Sequence, residues 1–462
     1  MGRRRHSIRF RTSFSNTIYD VMSGRGWKET DSETDWDLHW AEREWVYEVF
    51  DTMHLEPHQR LNHFRNGREL CRKDLLVKNL KRMKRGLQRD GQVDQARAYD
   101  FMPLSFVLPR EYAMFVEEFK RSGGVWIMKP IGSAQGRGIF LFSRLSEISE
   151  WRTDPYRHLR DQNDKDAAPR AEPEAYIVQR YIENPYLIGG KKFDMRLYVL
   201  VTSFSPLVAY MYRGGFARFS HTRYSSDPAD IANNFVHLTN VAIQKTAENY
   251  DARSGGKKDL RSLKLLLATR HGMAAVDRVF LAIERVIVRS LIAVQHVMIA
   301  DKHCFELYGY DVLIDDQLKP WLIEVNASPS LSANTKEDYQ LKCDMLNDTL
   351  DIVDRPSGIV GPAFCYGLRD GDAKLQTSSS TAVFVSSRSV APAGRRRVEA
   401  ARRRAVRGRL RPGVRRRRRR ARPPGLPLVD AAGDGGRAAQ GRGAAGGRRG
   451  GLNILFWFLK KK

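Results

Sequence analysis

Short apolar runs bounded by glycine, proline or asparagine fill the chain from residue 123 to about 355, and they predict a series of β-strands. The segment FLAIERVIVRSLIAVQHVMI has its apolar residues at helical spacing and predicts a helix. Two later runs, FELYGYDVLID and KPWLIEVN, flank the turn-like DDQL and predict strands packed on both faces. The earlier strand-like runs are GVWIMK, GIFLF, AYIVQRYI, FDMRLYVLVTS and PLVAYMYR.

The rest of the chain divides by pattern into further segments. Residues 1–30 are basic and polar, and we expect a loosely ordered N-terminal segment. Residues 31–122 predict a smaller N-terminal subdomain, in which RKDLLVKNLKRMKRGLQRD is a basic amphipathic helix. Residues 123–355 would form the catalytic part, with polar loops at 157–172 and 249–258. The expected fold class is α+β, with mixed or antiparallel sheets flanked by helices.

Periodicity stops after about residue 355, and the Arg/Ala/Gly-rich stretch 356–462 cannot bury enough apolar surface to fold. We therefore expect a disordered tail. Residues 391–462 hold 20 Arg and 3 Lys against 3 acidic residues, which accounts for +20 of the net charge of +26. The positive charge by itself would suit nucleic acid, but the tail lacks interleaved aromatic residues through 391–450 and the body has no base-reading motif, so nucleic acid is not the expected partner.

Several classes of protein are excluded by what the chain lacks. The four cysteines lie far apart without zinc-ligand or redox spacing, which favours a reduced, cytosolic protein. The start has no apolar run typical of a secretory signal, and His6 stands where a myristoylation pattern needs Ser or Thr. No stretch reaches the roughly 18 apolar residues that span a bilayer, so we expect no membrane partner.

Two carboxylates and an amide predict a metal site at the ends of the last two strands. Glu324 and Asn326 are two residues apart and point to the same face of an extended strand. If the strands pair, Asp311 reaches that face, and three oxygen donors suit Mg²⁺ held jointly with phosphates. The alternative is a pair of solvent-facing strand ends. An acid inside WLIEVN argues against it, since a buried carboxylate is costly unless paired or metal-bound.

The cations offer a second set of candidates. Lys129 ends the strand GVWIMK, and the glycine-rich IGSAQGRG that follows would let backbone N–H groups approach phosphates. The alternative is a plain glycine-rich hairpin. Lys192, Asp194 and Arg196 alternate along one strand face, which suits a nucleotide contact or ordinary cross-strand pairing. QRYI would expose backbone groups to an adenine edge at a strand end, whereas Arg218 and the run HLTN could be loop residues without a role.

Taken in order, WIMKP, QGRGI, VQRYIENP, KKFDMRLYVLVTS, GFARFS, HLTNVAIQK and YGYDVLIDDQLKPWLIEVNASPSL resemble the tubulin tyrosine ligase-like family, and most closely its glutamylase branch. The match covers roughly residues 10–355. The resemblance implies an ATP-grasp fold, with ATP and Mg²⁺ as cofactors. It also implies a nucleotide site: phosphate contacts by Lys73 and Lys129, a closing loop with Gln135 and Gly136, an adenine site lined by Gln179, Arg180, Tyr181 and Ile182, adenine and ribose contacts by Lys192 and Asp194, and completion of the site by Thr239 and Asn240.

The remaining implied roles concern the reaction itself. Arg196 and Arg218 would be catalytic and face the phosphate and carboxylates, and Lys257 would bind the amino acid. Asp311, Glu324 and Asn326 would ligate magnesium.

The implied reaction is ATP-dependent addition of free glutamate to glutamate side chains of the acidic tubulin C-terminal tail, through an acyl phosphate. No nucleophilic enzyme residue is needed, in keeping with the lack of a Ser–His or Cys–His arrangement. A basic helix at 72–89 would attract an acidic tail, although a solvated helix face is the alternative. Glycine or tyrosine as the added residue, a catalytically silent microtubule-binding protein and companion subunits stay open. The resemblance implies a place on the cytoskeleton of the cytoplasm, in a cilium, flagellum or basal body.

Overall fold

The computed structural model describes residues 7–133, 135–148, 175–248 and 256–354, together with the backbone of Val385–Ser386. Within these residues the predicted mixture of helices and several sheets is confirmed. The strands are β1 (Arg9–Thr12), β2 (Lys28–Glu29), β3 (Leu38–Trp40), β4 (Arg60–Leu61), β5 (Ser105–Leu108), β6 (Trp126–Pro130), β7 (Phe140–Phe142), β8 (Tyr176–Arg180), β9 (Leu187–Ile188), β10 (Lys191–Phe204), β11 (Leu207–Phe219), β12 (Lys257–Asp259), β13 (Glu306–Ile314), β14 (Pro320–Asn326) and β15 (Val385–Ser386).

The helices of the described residues run between the strands and pack on their faces. Two short 3₁₀ helices, Phe50–Thr52 and Pro228–Asp230, accompany them. The α-helices are α1 (Thr17–Gly24), α2 (Arg43–Glu48), α3 (Arg68–Cys71), α4 (Lys73–Arg89), α5 (Val93–Arg97), α6 (Tyr112–Ser122), α7 (Asn234–His237), α8 (Val241–Gln244), α9 (Leu260–His271), α10 (Met273–Gln295) and α11 (Lys336–Val353).

The largest sheet has the order β12-β11-β10-β13-β14, with β9 paired to β10 and β15 to β11. Neighbouring strands in it are antiparallel. The turn between β13 and β14 is built by Asp315, whose carboxylate accepts the backbone N–H groups of Gln317 at 3.0 Å and Lys319 at 2.9 Å and the Trp321 indole N–H at 2.9 Å. This aspartate-based turn sets the register that brings the ends of β13 and β14 together.

The two faces of β10 pack against different helices. Met195, Leu197 and Val199 point to one side and join the main core with α10, which confirms the apolar helix predicted there. Tyr198 and Leu200 point to the other side and join a second core with α1 and α11. Alternation along the strand therefore buries both faces, as the continuous apolar run predicts. On the second face, the end of β10 next to β9 carries the charged residues Lys192, Asp194 and Arg196.

The second sheet has the order β5-β8-β6-β7 and is antiparallel. Phe115 of α6 packs on Trp126 and Phe142, with ring centroids 5.1 and 6.1 Å apart. β5 is a strand of this sheet and α6 packs on the sheet, so this unit begins before the boundary predicted at residue 122. The sequence pattern around β5 contains no feature that names its partner strand, since pairing depends on residues about 70 positions further on.

The third sheet is parallel, with the order β2-β1-β3-β4. It corrects the expectation that residues 1–30 are loosely ordered, because Phe10 of β1 is fully buried and α1 packs against α11. The Asn16 side chain accepts the backbone N–H of Ile18 at 2.9 Å and so begins α1. Basic residues flanking single buried positions hid this small element from the apolar pattern.

The remaining predictions concern the loops, the C-terminal tail and membrane-spanning helices. The loop 157–172 and nearly all of the tail 356–462 lie outside the described residues, as do residues 249–255. Residues 257 and 258 belong to β12, so the end of the loop predicted at 249–258 is wrong. In the described part of the chain, no helix combines the length and the apolar content that crossing a bilayer requires.

Candidate active site

One face of the largest sheet collects charged residues from five strands. Residues paired directly across antiparallel strands point to the same face. Pairing sets Asp194 of β10 opposite Arg218 of β11, and Arg196 of β10 opposite Asp311 of β13. The outer strands continue both rows with charged partners. From edge to edge the face carries Lys257, Arg218, Asp194, Arg196, Asp311 and Glu324.

Asp311 lies at the centre of a buried ion-pair network. Arg196 donates to both of its oxygens, from Nε at 2.5 Å and from Nη2 at 3.1 Å. Arg218 reaches Asp311 Oδ2 at 2.9 Å and also forms a two-pronged pair with Asp194. Burial alone would raise the pKa of Asp311, but the two arginines hold it well below its ordinary value. The cross-strand pairing that the sequence offered as an alternative is thus present, and it does not preclude a binding role.

The three residues predicted to bind metal are brought together. The Asn326 side-chain amide donates to Glu324 Oε1 at 3.2 Å and lies 3.5 Å from Asp311 Oδ2. Burial raises the pKa of Glu324, and the neighbouring Asp311 carboxylate adds to the rise. A divalent cation would stabilise the charged form of Glu324, so the donor set fits Mg²⁺. Turning the Asn326 amide by 180° would present its oxygen to the ion.

No group of three histidine, cysteine, aspartate or glutamate side chains in the described segments has the arrangement of a metal site. The predicted set contains only two such residues, and its third member is an amide. A site of this composition holds a hard cation weakly by protein atoms alone and shares the ion with ligand phosphates. The geometry therefore agrees with metal bound together with a nucleotide better than with a resident structural ion.

A cleft opens next to this face, between α4 and the second sheet. Lys129 donates to Gln179 Oε1 at 2.7 Å, and the Gln179 amide donates to Ser105 at 2.9 Å. The pKa of Lys129 is lowered to about 8. Burial is the main cause, nearby Lys73 contributes to the fall, and Glu324 opposes it. The ammonium of Lys73 reaches the Ser133 carbonyl at 3.1 Å. The cleft is lined by Lys73, Leu76, Lys129, Ile177, Gln179 and Glu324.

The next polar cluster lies around Lys192 at the start of β10. Its ammonium donates to the Tyr181 hydroxyl and to the His237 carbonyl, both at 2.9 Å, and sits 4.4 Å from the centre of the Tyr181 ring. Burial lowers the pKa of Lys192 to about 7, and Lys129 contributes to the fall. The Tyr181 hydroxyl also contacts His237 Nδ1 at 3.0 Å. Thr239, two residues further on, is buried.

Arg180 is the predicted site residue whose side chain turns away. Gln179 and Tyr181 share one face of the chain, so Arg180 between them points to the other. Its guanidinium donates to the Gly123 carbonyl and lies 5.5 Å from the centre of the Trp126 ring. The backbone groups that the sequence offers to an adenine edge at Arg180 do not depend on this side chain, so its place in the adenine site stays a prediction. Ile182 follows the end of β8 and is half-buried.

The glycine-rich loop after β6 closes on α8. Gln135 and Gly136 both have a left-handed backbone, with φ of 62° and 83°. A Cβ on Gly136 would lie 2.6 Å from Ile243 Cδ1 and 3.2 Å from the Asn240 side chain, so only glycine allows this approach. Asn240 is the residue before α8. Two predicted nucleotide contacts from distant segments, Gly136 and Asn240, are thus neighbours in the structure. Gln135 and Thr239 are the chain neighbours of these two residues.

Lys257 lies at the opposite edge of the charged face, where it meets residues that the sequence reasoning missed. Its ammonium is 3.0 Å from Asp338 Oδ2 and 4.8 Å from the centre of the Phe216 ring. Asp338 lies in the first turn of α11 and is also paired with Lys342 at 3.0 Å. A detectable signal existed, because Thr335 and Asp338 have the spacing of a helix N-terminus and Asp338 and Lys342 have that of an i,i+4 pair.

Comparison with known proteins identifies the relatives of this chain. The model of the "Tubulin-tyrosine ligase family" matches residues 51–359. The mouse "Probable tubulin polyglutamylase TTLL9" is 48% identical over 378 residues, which cover 77% of this chain and 81% of the mouse protein. The Caenorhabditis elegans "Probable tubulin polyglutamylase ttll-9" is 46% identical over 361 residues, or 78% and 83%. The Tetrahymena thermophila "Probable alpha-tubulin polyglutamylase Ttll1" is 42% identical over 360 residues, or 75% and 86%.

Proposed function

The chain belongs to the tubulin-tyrosine ligase family, and from this membership we propose that it is a tubulin polyglutamylase. It is a ligase that joins free glutamate to glutamate side chains of the acidic tubulin C-terminal tail. The names of the relatives that match most of this chain support the choice of reaction within the family. The observation that carries the mechanism is the single sheet face on which Arg196, Arg218, Asp311 and Glu324 meet.

The fold we propose is of the ATP-grasp type, with the nucleotide between the two antiparallel sheets. The cleft between Lys129 of one sheet and Glu324 of the other supports this arrangement. Lys73 and Lys129 hold the phosphates, and Lys192 with Tyr181 and Gln179 holds the adenine and ribose. Gln135 and Gly136 close over the phosphates from the loop after β6.

The chemistry follows from the poor reactivity of carboxylates toward amines. ATP as a substrate would supply the phosphoryl group that turns the acceptor carboxylate into an acyl phosphate. Asp311, Glu324 and Asn326 would hold Mg²⁺, which would neutralise phosphate charge. Arg218 is buried beside the metal residues and the Arg196 side chain is only 12% exposed, and both would stabilise the charge of the transferring group. The protein contributes position and electrostatics, so no covalent enzyme intermediate is required.

Glutamate is the added residue that the charges favour. The edge of the face beside β12 presents Lys257 and Arg218, which suit an amino acid with a second carboxylate. Glycine and tyrosine lack that group and would form one charged hydrogen bond fewer at this edge. The acidic tubulin tail would approach along the basic helix α4. A tubulin substrate implies a place on the cytoskeleton, and we propose a cilium, flagellum or basal body from the family resemblance alone.

The deciding experiment is incubation of the protein with microtubules, Mg-ATP and one labelled amino acid at a time, followed by mass spectrometry of the tubulin tails. We expect glutamate-sized mass additions that depend on ATP and form ADP. Addition of glycine or tyrosine in place of glutamate would overturn the proposed specificity. Binding to microtubules without any mass addition would overturn the ligase function and favour a silent binding protein.

A further inference from the structure

We propose that Asp338 is a positioning residue for the incoming amino acid and that it acts by holding the Lys257 ammonium on the charged sheet face. The inference rests on the proposed ligase function and adds to it the device that fixes the amino-acid subsite. Asp338 lies on α11, outside the two sheets that carry the other site residues. It is buried, with 7% of its surface exposed.

The Asp338 carboxylate is itself held firmly. Thr335 precedes α11 and its hydroxyl accepts the Asp338 backbone N–H at 3.2 Å. Lys342, one turn later, donates to Asp338 Oδ2 at 3.0 Å and to the Ser332 carbonyl at 2.6 Å. Lys342 therefore ties the first turn of α11 to the segment that follows β14. An aspartate whose backbone and whose Oδ2 are both held in this way can impose a position on a third group.

Lys257 needs such an anchor because its own element is weak. β12 has three residues and, in the described chain, pairs only with β11. A lysine side chain carries up to about 2 kcal/mol of rotamer entropy when free. Contact with Asp338 Oδ2 and with the face of the Phe216 ring restricts it before any ligand binds. The ammonium has three donors, so those not used by Asp338 can bind a substrate carboxylate.

The groups around Asp338 and Lys257 are polar, and some of their buried atoms lack a hydrogen-bond partner. Both lysines contact the same oxygen of Asp338, and Oδ1 is buried without a hydrogen-bond partner. The Tyr198 hydroxyl is likewise buried and unpaired, and it feels the charges of Arg196, Asp338, Arg218 and Asp311. Unpaired buried polar atoms are rare in folded proteins and call for an explanation such as a missing ligand. Two of them in one cluster point to a polar ligand.

The free donors of Lys257 select the class of ligand. The cluster has four cations, Lys257, Lys342, Arg196 and Arg218, and its carboxylates are also four once Glu324 beside Asp311 is counted, so the formal charges balance. Lys257 donates to one oxygen of Asp338 and keeps other donors for a ligand. An acidic amino acid such as glutamate offers a second carboxylate to these donors, whereas a neutral amino acid does not. Lys257 is the cation nearest the edge and so the one that Asp338 must place correctly.

The test separates the two half-reactions. Hydroxylamine in place of the amino acid traps an acyl phosphate: its nitrogen bonds to the acyl carbon, the bond to phosphate breaks, phosphate leaves and the nitrogen loses a proton. Forming the hydroxamate requires ATP and the acceptor tail but not the amino-acid subsite. Asp338→Asn should raise KM for glutamate at least about tenfold, since a charged hydrogen bond is lost. KM for ATP and the rate of hydroxamate formation should not change, which also shows that the variant is folded.

Two further variants make the result specific. Glu337→Gln removes one negative charge from the exposed neighbouring position of the same helix turn, and it should leave KM for glutamate unaltered. The double variant Lys257→Gln with Asp338→Asn should be no worse than Lys257→Gln alone, because Asp338 acts through Lys257. An unchanged KM for glutamate in Asp338→Asn, or equal losses in both half-reactions, would overturn the positioning role. Absence of hydroxamate with the unaltered protein would instead overturn the ligase function on which this role depends.

Discussion

At the scale of single residues, Asp311 and Glu324 are neighbouring carboxylates in opposite electrostatic settings. Two arginines outweigh the effect of burial on Asp311 and keep its pKa low. Burial and the charge of Asp311 together raise the pKa of Glu324, and Lys73 and Arg196 compensate only in part. Of the two, Glu324 is the carboxylate that gains most from a divalent cation, while Asp311 fixes the arginines that face it.

Replacing Glu324 by Gln should abolish transfer while leaving the fold intact. The amide keeps the shape of the side chain but offers the ion one weak oxygen in place of a charge. We expect kcat/KM to fall at least about 100-fold, since even supporting contacts to a metal ligand are worth 10–100-fold. The midpoint of thermal unfolding should not fall, because a carboxylate whose pKa is raised by folding destabilises the native state when charged.

The matched control is Glu117→Gln, an exposed position of α6 away from the charged face. It should keep full activity. Titration of Mg²⁺ by calorimetry, with a non-hydrolysable ATP analogue present, should show weaker metal binding for Glu324→Gln only. Near-normal activity of Glu324→Gln would contradict the metal assignment.

Lys129 predicts a pH dependence of ATP binding. Burial lowers its pKa to about 8, so in the free protein the ammonium is present below that pH and is lost as the pH rises through it. A phosphate ligand requires the charged form. The dissociation constant for ATP should therefore increase above pH 8, by up to about tenfold per pH unit. Fluorescence titration with a labelled ATP analogue between pH 6.5 and about 9.5 measures this dissociation constant. The range ends below the ordinary lysine pKa, so lysines with an ordinary pKa stay charged throughout.

Lys129→Arg supplies the comparison, because a guanidinium stays charged over the whole range. It should flatten the rise above pH 8, although Lys192 retains its own titration near pH 7. Lys120→Arg, an exposed change on α6, should reproduce the dependence of the unaltered protein. A dissociation constant that does not vary with pH in the unaltered protein would remove Lys129 from the phosphate site.

At the scale of elements, local pattern predicted the strands that carry the site but not the contacts between distant segments. Asp311 and Glu324 could be placed on one face because a short turn forces their strands to pair. The pairing of Lys257 with Arg218 crosses about 40 residues and leaves no trace in either segment. The direction of the Arg180 side chain was not predicted, although strand alternation turns it away from the face of Gln179 and Tyr181.

The helix α11 shows a second limit of local reasoning. Its apolar positions are sparse and Asp338 and Lys342 are buried charges, which weakens the contrast between its faces. Only the contact with β11 and β12 explains why charges are tolerated there. Sequence could reveal the helix by its capping residue, Thr335, but not the partner that gives Asp338 its role.

The helix α4 carries the prediction that belongs to this scale. Its apolar residues Leu76, Val77 and Leu80 are buried, which confirms the predicted amphipathic helix. Lys78, Arg82, Arg85 and Arg89 are exposed and follow each other at spacings of four, three and four, so they form one basic stripe. Such a stripe should attract an acidic tubulin tail.

Neutralising Lys78, Arg85 and Arg89 to Gln should raise KM for microtubules without changing KM for ATP. The loss should be largest at low salt and shrink as screening increases, which activity measured across a salt series would show. The control changes Arg110, Lys120 and Arg278 to Gln, which removes equal charge from exposed positions elsewhere. Equal losses for both triple variants would mean that net charge matters and that the stripe is not a docking site.

At the scale of the whole molecule, charge and chemistry are separated along the chain. Every proposed site residue lies between Lys73 and Lys342, whereas +20 of the net charge of +26 comes from residues 391–462. A long basic segment strengthens attraction to any anionic surface, including microtubules, without selecting a reaction. The family match ends at residue 359, before this segment begins. The tail should therefore affect encounter and not chemistry.

Deleting residues 391–462 should leave glutamate transfer intact at moderate salt, because the deletion removes none of the groups that bind ATP, metal or amino acid. At low salt KM for microtubules should rise, since the net charge falls to +6. A full-length variant with residues 415–420, six consecutive arginines, changed to Gln tests charge apart from length and should show a smaller rise. If the deletion instead abolishes transfer to short tubulin-tail peptides, for which microtubule capture is irrelevant, the catalytic unit extends into the tail and the separation of charge from chemistry is wrong.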